Sequence, residues 1–458
     1  MNALPAAAHQ QAAASSAGQR LFLPMVGTVP GPNPFGIDFS IYSGEEELQY
    51  GVDARPKWAR AGDVVWSQIE AERGSYDWAQ LDLVDANIRR LRAAGVEPML
   101  IIQQTPVWAQ SVPGRLCSPP KPEYLDDMAR FIESLVTRYS SNELYVKYWE
   151  FWNEPDFSPA NVQDSMGIGC WGDMRKPDNG GQYYGEALKR AYAAVKAANP
   201  SALVFGGALS SFGVNDPRND NFVRGMLTTA PNAFDAFSFH AYGEYGYGDL
   251  LRGKTLSYRR ILDEFGLQKR PMIATEVAAT CVSSDVSGCK PDYATWVSRQ
   301  ANYAARIYAV ANALDLMGAF WYTFSSENPG YRFSHLLERQ DGKIVPRPAY
   351  YAFRNSAQLL AGAQYIGPPL QDATADDKER VQTLIFRKAT STLYVMWVPN
   401  IEFSRTITTL KVSPGAKIYC TQKLELPYLN TYDCSDTRKI GVIDVVVNSL
   451  PQYVEVFD

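Results

Sequence analysis

Histidine is scarce in this chain: only His9, His240 and His335 occur in 458 residues. That scarcity argues against a metal centre built on clustered imidazoles, and no cofactor is expected. Long hydrophobic runs are missing too. No stretch approaches the ~20 apolar residues that a membrane-spanning helix needs. Charge of one sign is nowhere concentrated: 44 lysines and arginines face 49 aspartates and glutamates, a net charge of −5. Without a basic run, nucleic acid is not an expected partner. The 46% of hydrophobic residues is ordinary for a soluble globular protein, and the length suits a large domain plus a second module. Oligomeric state is not legible.

What is present begins with six cysteines whose spacing is not zinc-like. Cys281 and Cys289 flank a short polar loop. Cys420 and Cys434 flank a segment that reads as a hairpin. Cys117 and Cys170 remain, each in a long loop. Many pairings are possible, but this local one is the simplest and implies an oxidising compartment. The alternative is six free thiols. The segment from Met1 to about Arg20 is rich in Ala, Gln and Ser and has no charged or apolar signal region. Residues 1–30 are expected to form a flexible leader, the remnant of a secreted protein whose signal is absent from this chain.

From residue 31 to 361, apolar strand-like runs alternate with amphipathic helical runs. Strands are expected at Phe35–Phe39, Lys57–Arg60, Glu97–Ile102, from Tyr145 to the Asn153-Glu154-Pro155 stop, and at Ala202–Gly207, Phe234–His240, Pro271–Glu276 and Ala319–Phe324. Helices are expected between several of them, for instance from about Trp78 to Ala94 with Leu81, Val84, Ile88 and Leu91 on one face. Eight such strands with crossovers predict an α/β fold, a (β/α)8 barrel. After Gly362 the period changes to alternation, at Val381–Phe386, Thr392–Val398, Thr406–Leu410 and Val442–Val447. Residues 362–458 therefore read as an all-β sandwich. It is expected to be structural, with carbohydrate binding as the alternative.

Two carboxylates end two different strands, Glu154 on the fourth and Glu276 on the seventh. A carboxylate at the tip of an apolar strand is costly unless it is paired or used, and barrel enzymes place their chemistry at those tips. Two carboxyl groups across one pocket are what glycosidic bond cleavage requires, one to protonate the leaving oxygen and one beneath the anomeric carbon.

At this point the sequence resembles a known family. Asn153-Glu154-Pro155 at a strand end, with a second glutamate in Ile273-Ala274-Thr275-Glu276, is similar to clan A of the glycoside hydrolases. Trp66-Ser67-Gln68-Ile69-Glu70, Gly74-Ser75-Tyr76-Asp77-Trp78 and Thr105-Pro106-Val107-Trp108-Ala109 resemble family 39 and its relatives. One departure is Glu70-Ala71, where that family often has Glu-Pro. The resemblance implies a retaining glycosidase with Glu154 as acid/base and Glu276 as nucleophile. It further implies that Asn153 contacts the sugar 2-hydroxyl, Arg60 supports the nucleophile, His240 lies near the carboxylates, Tyr242 orients Glu276, and Trp321 floors the sugar site. The expected partner is a carbohydrate, a plant or microbial polysaccharide or its oligomers. Among aromatic residues near the loops after strands, Trp108, Trp152, Phe157, Trp171, Tyr245, Tyr247, Tyr331 and Phe333 are candidate subsite walls. A Cys117–Cys170 bond would tie the third and fourth loops. The competing expectations are a non-catalytic sugar-binding barrel, a transglycosylase with the same residues, and a metal-dependent hydrolase, for which clustered His and Asp are lacking.

Overall fold

The computed structural model describes residues 33–39, 44–141, 143–161, 167–244, 250–280, 293–325, 334–371, 380–399, 406–435 and 440–457. The expected leader, Cys281 and Cys289 lie outside these residues. Eight strands close into a barrel: β1 (Phe35–Asp38), β2 (Trp58–Val65), β3 (Glu97–Gln103), β4 (Tyr148–Phe151), β5 (Leu203–Leu209), β6 (Ala236–Glu244), β7 (Met272–Thr280) and β8 (Ala319–Trp321). Every neighbouring pair is parallel. The helices are α1 (Glu45–Asp53), α2 (Trp66–Ile69), α3 (Asp82–Ala93), α4 (Leu125–Arg138), α5 (Gly181–Ala198), α6 (Pro217–Thr229), α7 (Leu250–Glu264), α8 (Tyr293–Ala313) and α9 (Pro348–Leu360).

The period of two in each strand decides what fills the barrel. Near the strand starts, Trp58, Met99, Tyr148, Phe205, Ala236, Ile273 and Phe320 pack as one apolar cluster. Gly36 makes room for it, since a Cβ there would sit 2.8 Å from the Phe320 ring. Two residues further along β2 and β4, on the same inward face, come Arg60 and Glu150. The apolar floor thus gives way to polar groups toward the strand ends. The outer layer is helical. In α3, Val84, Ile88 and Leu91 are buried, Asp82 and Asp85 lie in the first turn and Arg90 and Arg92 in the last, as the helix dipole favours.

Strand β2 is longer than the sequence suggests. Its register shifts between Arg60 and Gly62, and beyond this bulge pairing continues through Val64 and Val65, past the end expected at Arg60. Helices α1, α6 and α7 were not foreseen. The buried face of α7 mixes Leu251, Tyr258, Ile261 and Leu262 with Arg252, Lys254, Thr255 and Ser257, so its apolar stripe is interrupted.

The C-terminal part begins beyond α9. It contains β11 (Gln364–Tyr365), β12 (Gln382–Arg387), β13 (Ser391–Trp397), β14 (Thr406–Lys411), β15 (Lys417–Gln422), β16 (Asn430–Asp433), β17 (Val442–Val447) and β18 (Gln452–Phe457), after a hairpin of β9 (Leu337–Gln340) and β10 (Lys343–Pro346). A six-stranded sheet in the order β11-β12-β13-β18-β15-β16 faces the β14–β17 pair. Its inner side chains, including Val395, Trp397 and Tyr453, join the barrel's core. Met396, Val398, Val454 and Val456 form a separate core with Val445 and Val447 of β17. Polar bonds also hold the sheet to the barrel. The Tyr453 hydroxyl donates to the Ala305 carbonyl at 2.7 Å, and Asn355 Nδ2 donates to the Leu424 carbonyl at 2.8 Å. Among the described residues no helix is long and apolar enough to cross a membrane.

Candidate active site

Strand β4 stops at Phe151, and the chain then turns sharply. Trp152 and Glu154 have φ of 69° and 44°, a left-handed conformation that non-glycine residues seldom adopt. Both strands beside it hold this tip: Trp152 N donates to Ile102 O at 2.9 Å, and Glu154 N donates to Ala208 O at 2.8 Å. The segment 169–172 runs along the other side. Gly169 N donates to Asn153 O at 2.7 Å and Trp171 N to Pro155 O at 2.8 Å. Gly172 has to be glycine there, because a Cβ would lie 2.4 Å from the Asp156 carbonyl.

The tip delivers Glu154 to a buried polar cluster. His240 Nδ1 lies 2.8 Å from Glu154 Oε1 and 3.4 Å from Glu276 Oε2. His240 and Glu276 are register partners on β6 and β7. Arg60 donates to Glu276 Oε1, and the Tyr242 hydroxyl donates to Glu276 Oε2, so both oxygens of Glu276 accept. Arg60 also donates to Asn153 Oδ1 at 2.7 Å and Glu150 Oε2 at 3.2 Å. Asn153 in turn donates to the Gly167 carbonyl at 3.1 Å. One oxygen of Glu154, one of Glu276 and a nitrogen of His240 all lie within 4.8 Å of one another.

Burial separates the proton affinities. It pushes Glu154 up to about 7, against the pull of Arg60 and Lys254. It pushes His240 down to about 4, with the Arg60 charge adding to the effect. Around neutral pH the imidazole is therefore uncharged and Glu154 is poised to give or take a proton. Glu154, His240 and Glu276 could in principle hold a metal ion. Arg60 already places a positive charge on Glu276, which disfavours a cation at the same oxygens. Proton transfer is the chemistry this trio fits.

Six of the expected site residues, Glu154, Glu276, Asn153, Arg60, His240 and Tyr242, thus meet in one place. Three do not. Trp321 is fully buried, its indole N–H donates to the Ser334 carbonyl at 2.7 Å, and its ring packs near Tyr303 of α8. Because Phe320 joins the cluster at the barrel floor, Trp321 faces outward and cannot be a sugar floor. Trp171 is also buried, edge-on to Trp152 at 4.8 Å. Trp108 donates to the Glu70 carbonyl at 3.0 Å and packs edge-on against Trp66 and Tyr124, so it braces the loops after β2 and β3. Among the other candidate walls, Trp152 is buried and Phe157 packs on Phe212. Tyr245, Tyr247, Tyr331 and Phe333 lie outside the described residues. Cys117–Cys170 and Cys420–Cys434 are disulfides.

Three residues were missed. Tyr322, next to Trp321, is half-buried and meets the Tyr242 ring edge-on at 6.1 Å. Asp38 closes β1 with its carboxylate 3.5 Å from Arg60 Nη1. Glu150 lies fully buried beneath Arg60. Asp38 and Glu150 carried a signal, a carboxylate in an otherwise apolar strand, the same one that marked Glu154.

No protein-family model matches the sequence, and no curated protein matches it. Solved structures do share the fold. A family 39 glycoside hydrolase from the gut symbiont Bacteroides cellulosilyticus WH2 superimposes with a TM-score of 0.67 at 18% identity, over 94% of this chain and 81% of that one. A glucosidase from Croceicoccus marinus gives 0.60 at 15%, over 93% and 96%. A family 30 subfamily 8 xylanase from Clostridium acetobutylicum gives 0.58 at 14%, over 94% and 98%.

Proposed function

We propose that this protein is a retaining glycoside hydrolase. The observation that carries the reading is the carboxylate pair, Glu154 just beyond β4 and Glu276 midway along β7, which runs on past it to Thr280. Their nearest oxygens lie within 4.8 Å and their surroundings differ. Retaining enzymes keep their carboxyl groups ~5–5.5 Å apart, whereas inverting ones need ~6.5–9.5 Å for a water. The fold shared with solved glycosidases supports the same class.

In the first step Glu276 attacks the anomeric carbon while Glu154 protonates the leaving oxygen. In the second, Glu154, now a carboxylate, takes a proton from water, which attacks the same carbon and releases Glu276. Arg60 and Tyr242 aim Glu276 from both of its oxygens. Asn153, anchored by Arg60 and Gly167, is placed to meet the sugar hydroxyl beside the reacting carbon. Tyr322 takes the role of sugar platform in place of Trp321. The two disulfides support export to an oxidising compartment.

The test is a panel of aryl glycosides and plant and microbial polysaccharides incubated with wild type, Glu154→Gln and Glu276→Gln. Wild type cleaves at least one substrate, and each variant loses ~10²-fold or more of the rate. Equal cleavage by all three proteins would overturn the proposal. Binding without cleavage by wild type would favour a non-catalytic sugar-binding barrel.

A further inference from the structure

Behind the tip of β4 lies a second buried cluster that the reaction scheme leaves unused. Lys254, on the inner face of α7, is 1% exposed. Its Nζ donates to the Ser210 carbonyl at 2.7 Å, the Phe212 carbonyl at 3.1 Å and Asn219 Oδ1 at 3.3 Å. Asn219, on α6, donates onward to Asp156 Oδ2. The Asp156 carboxylate, two residues beyond Glu154, also accepts from Ser210 N at 3.0 Å and Ser210 Oγ at 2.7 Å. Ser210 follows directly on β5, whose Ala208 carbonyl holds Glu154 N. The backbone on both sides of the acid/base is thus tied to one internal ammonium.

A solvated lysine would do none of this. Burying an ammonium is expensive, and a neutral donor could serve the same carbonyls. The charge itself calls for a use.

We infer that Lys254 is a positioning residue for the acid/base, an internal counter-charge that fixes the β4 and β5 tips and tunes when Glu154 releases its proton. The inference rests on the proposed role of Glu154. The direction of each charge is clear. Lys254 lowers the proton affinity of Glu154, on top of the Arg60 effect and against burial. Asp156 sits on the opposing side: burial holds it up at about 6, and it and Glu154 disfavour each other's charge. Burial brings Lys254 down to about 8, with Asp156, Glu154, Asp216 and Asp220 holding it charged. The remaining groups around Glu154 are His240, Tyr242, Glu276 and Arg60, and none touches the Lys254 ammonium.

The experiment is a carbon-13 titration of protein labelled at the glutamate side-chain carboxyl, with the Glu154 signal assigned as the one missing from Glu154→Gln. Lys254→Gln keeps a donor and removes the charge, and it should raise the Glu154 midpoint by on the order of one pH unit. Asp156→Asn should lower it. Lys254→Arg should leave it near wild type. The alkaline limb of kcat on a cleaved aryl glycoside should move in the same directions. A merely structural lysine would leave the Glu154 midpoint in place, so an unmoved midpoint in Lys254→Gln overturns the inference. Should Lys254→Gln not fold, Lys254→Met takes its place in the same titration, with the same upward shift expected and an unmoved midpoint overturning the inference. A midpoint that shifts as inferred in a protein that cleaves no glycoside would sink the proposed function instead.

Discussion

At the scale of the residue, the same burial that equips Glu154 for proton transfer costs stability above neutral pH. Its folded-state value, about 7, lies above that of an exposed glutamate in the unfolded chain. The folded state therefore holds the proton more tightly. That contribution is fully present below the unfolded value, near pH 4.5, and is lost as pH rises through 7. Glutamine is neutral throughout. The stability of Glu154→Gln relative to wild type should therefore rise between pH 5 and pH 8, by ~2 kcal/mol at the upper end. Thermal melts of both proteins across that range check it, and a pH-independent difference would refute it. The residue scale also shows where sequence reading stopped. Phe320-Trp321-Tyr322 is an unbroken aromatic run, and no polar residue fixes which members point inward. The Phe320 ring at the barrel floor sets that phase, and the buried residues it clusters with come from other strands, distant in sequence.

At the scale of the element, the proposed chemistry sits on β6, β7 and the turn after β4, and the loops after β3 and β4 brace that turn. The Cys117–Cys170 disulfide closes a sequence separation of 53 residues and joins the loops after β3 and β4. The segment beside Cys170 bonds to Asn153 through both Gly167 and Gly169. Replacing both cysteines by serine should cost ~2–4 kcal/mol and lower kcat/KM through a loosened Asn153. The alkaline limb of the pH profile should stay where it is, since the charges around Glu154 are untouched. Denaturation curves and a pH–rate profile of the double variant test this, and unchanged kcat/KM would remove the positioning role of that segment. The strands of the barrel were legible because their apolar runs are bounded by polar turns. Helix α7 was not, because Arg252, Lys254, Thr255 and Ser257 interrupt the stripe of Leu251, Tyr258, Ile261 and Leu262. Polar groups on a buried face blur the amphipathic signal.

At the scale of the whole molecule, the barrel and one face of the six-stranded sheet share one core. Val395, Trp397 and Tyr453 belong to the same apolar cluster as the barrel helices, so the β-layer covers a surface the barrel cannot leave open. A chain ending at residue 361 should expose that surface and aggregate or melt well below the full chain, whatever its intact active-site residues. Size-exclusion chromatography and a thermal melt decide it, and a soluble truncated barrel of full stability would show the β-layer to be dispensable. The change from helical period to alternation after Gly362 made this second layer readable. Its seat on α8 and α9 was not, because the contact pairs residues far apart in the chain.

The central claim is that Glu154 and Glu276 act as acid/base and nucleophile on one sugar. Proton NMR of the first product released from a cleaved glycoside tests it most directly. Double displacement predicts that the anomer formed first has the configuration of the bond that was cut. An inverted anomer would contradict the account, because it would require water, and not Glu276, at the anomeric carbon.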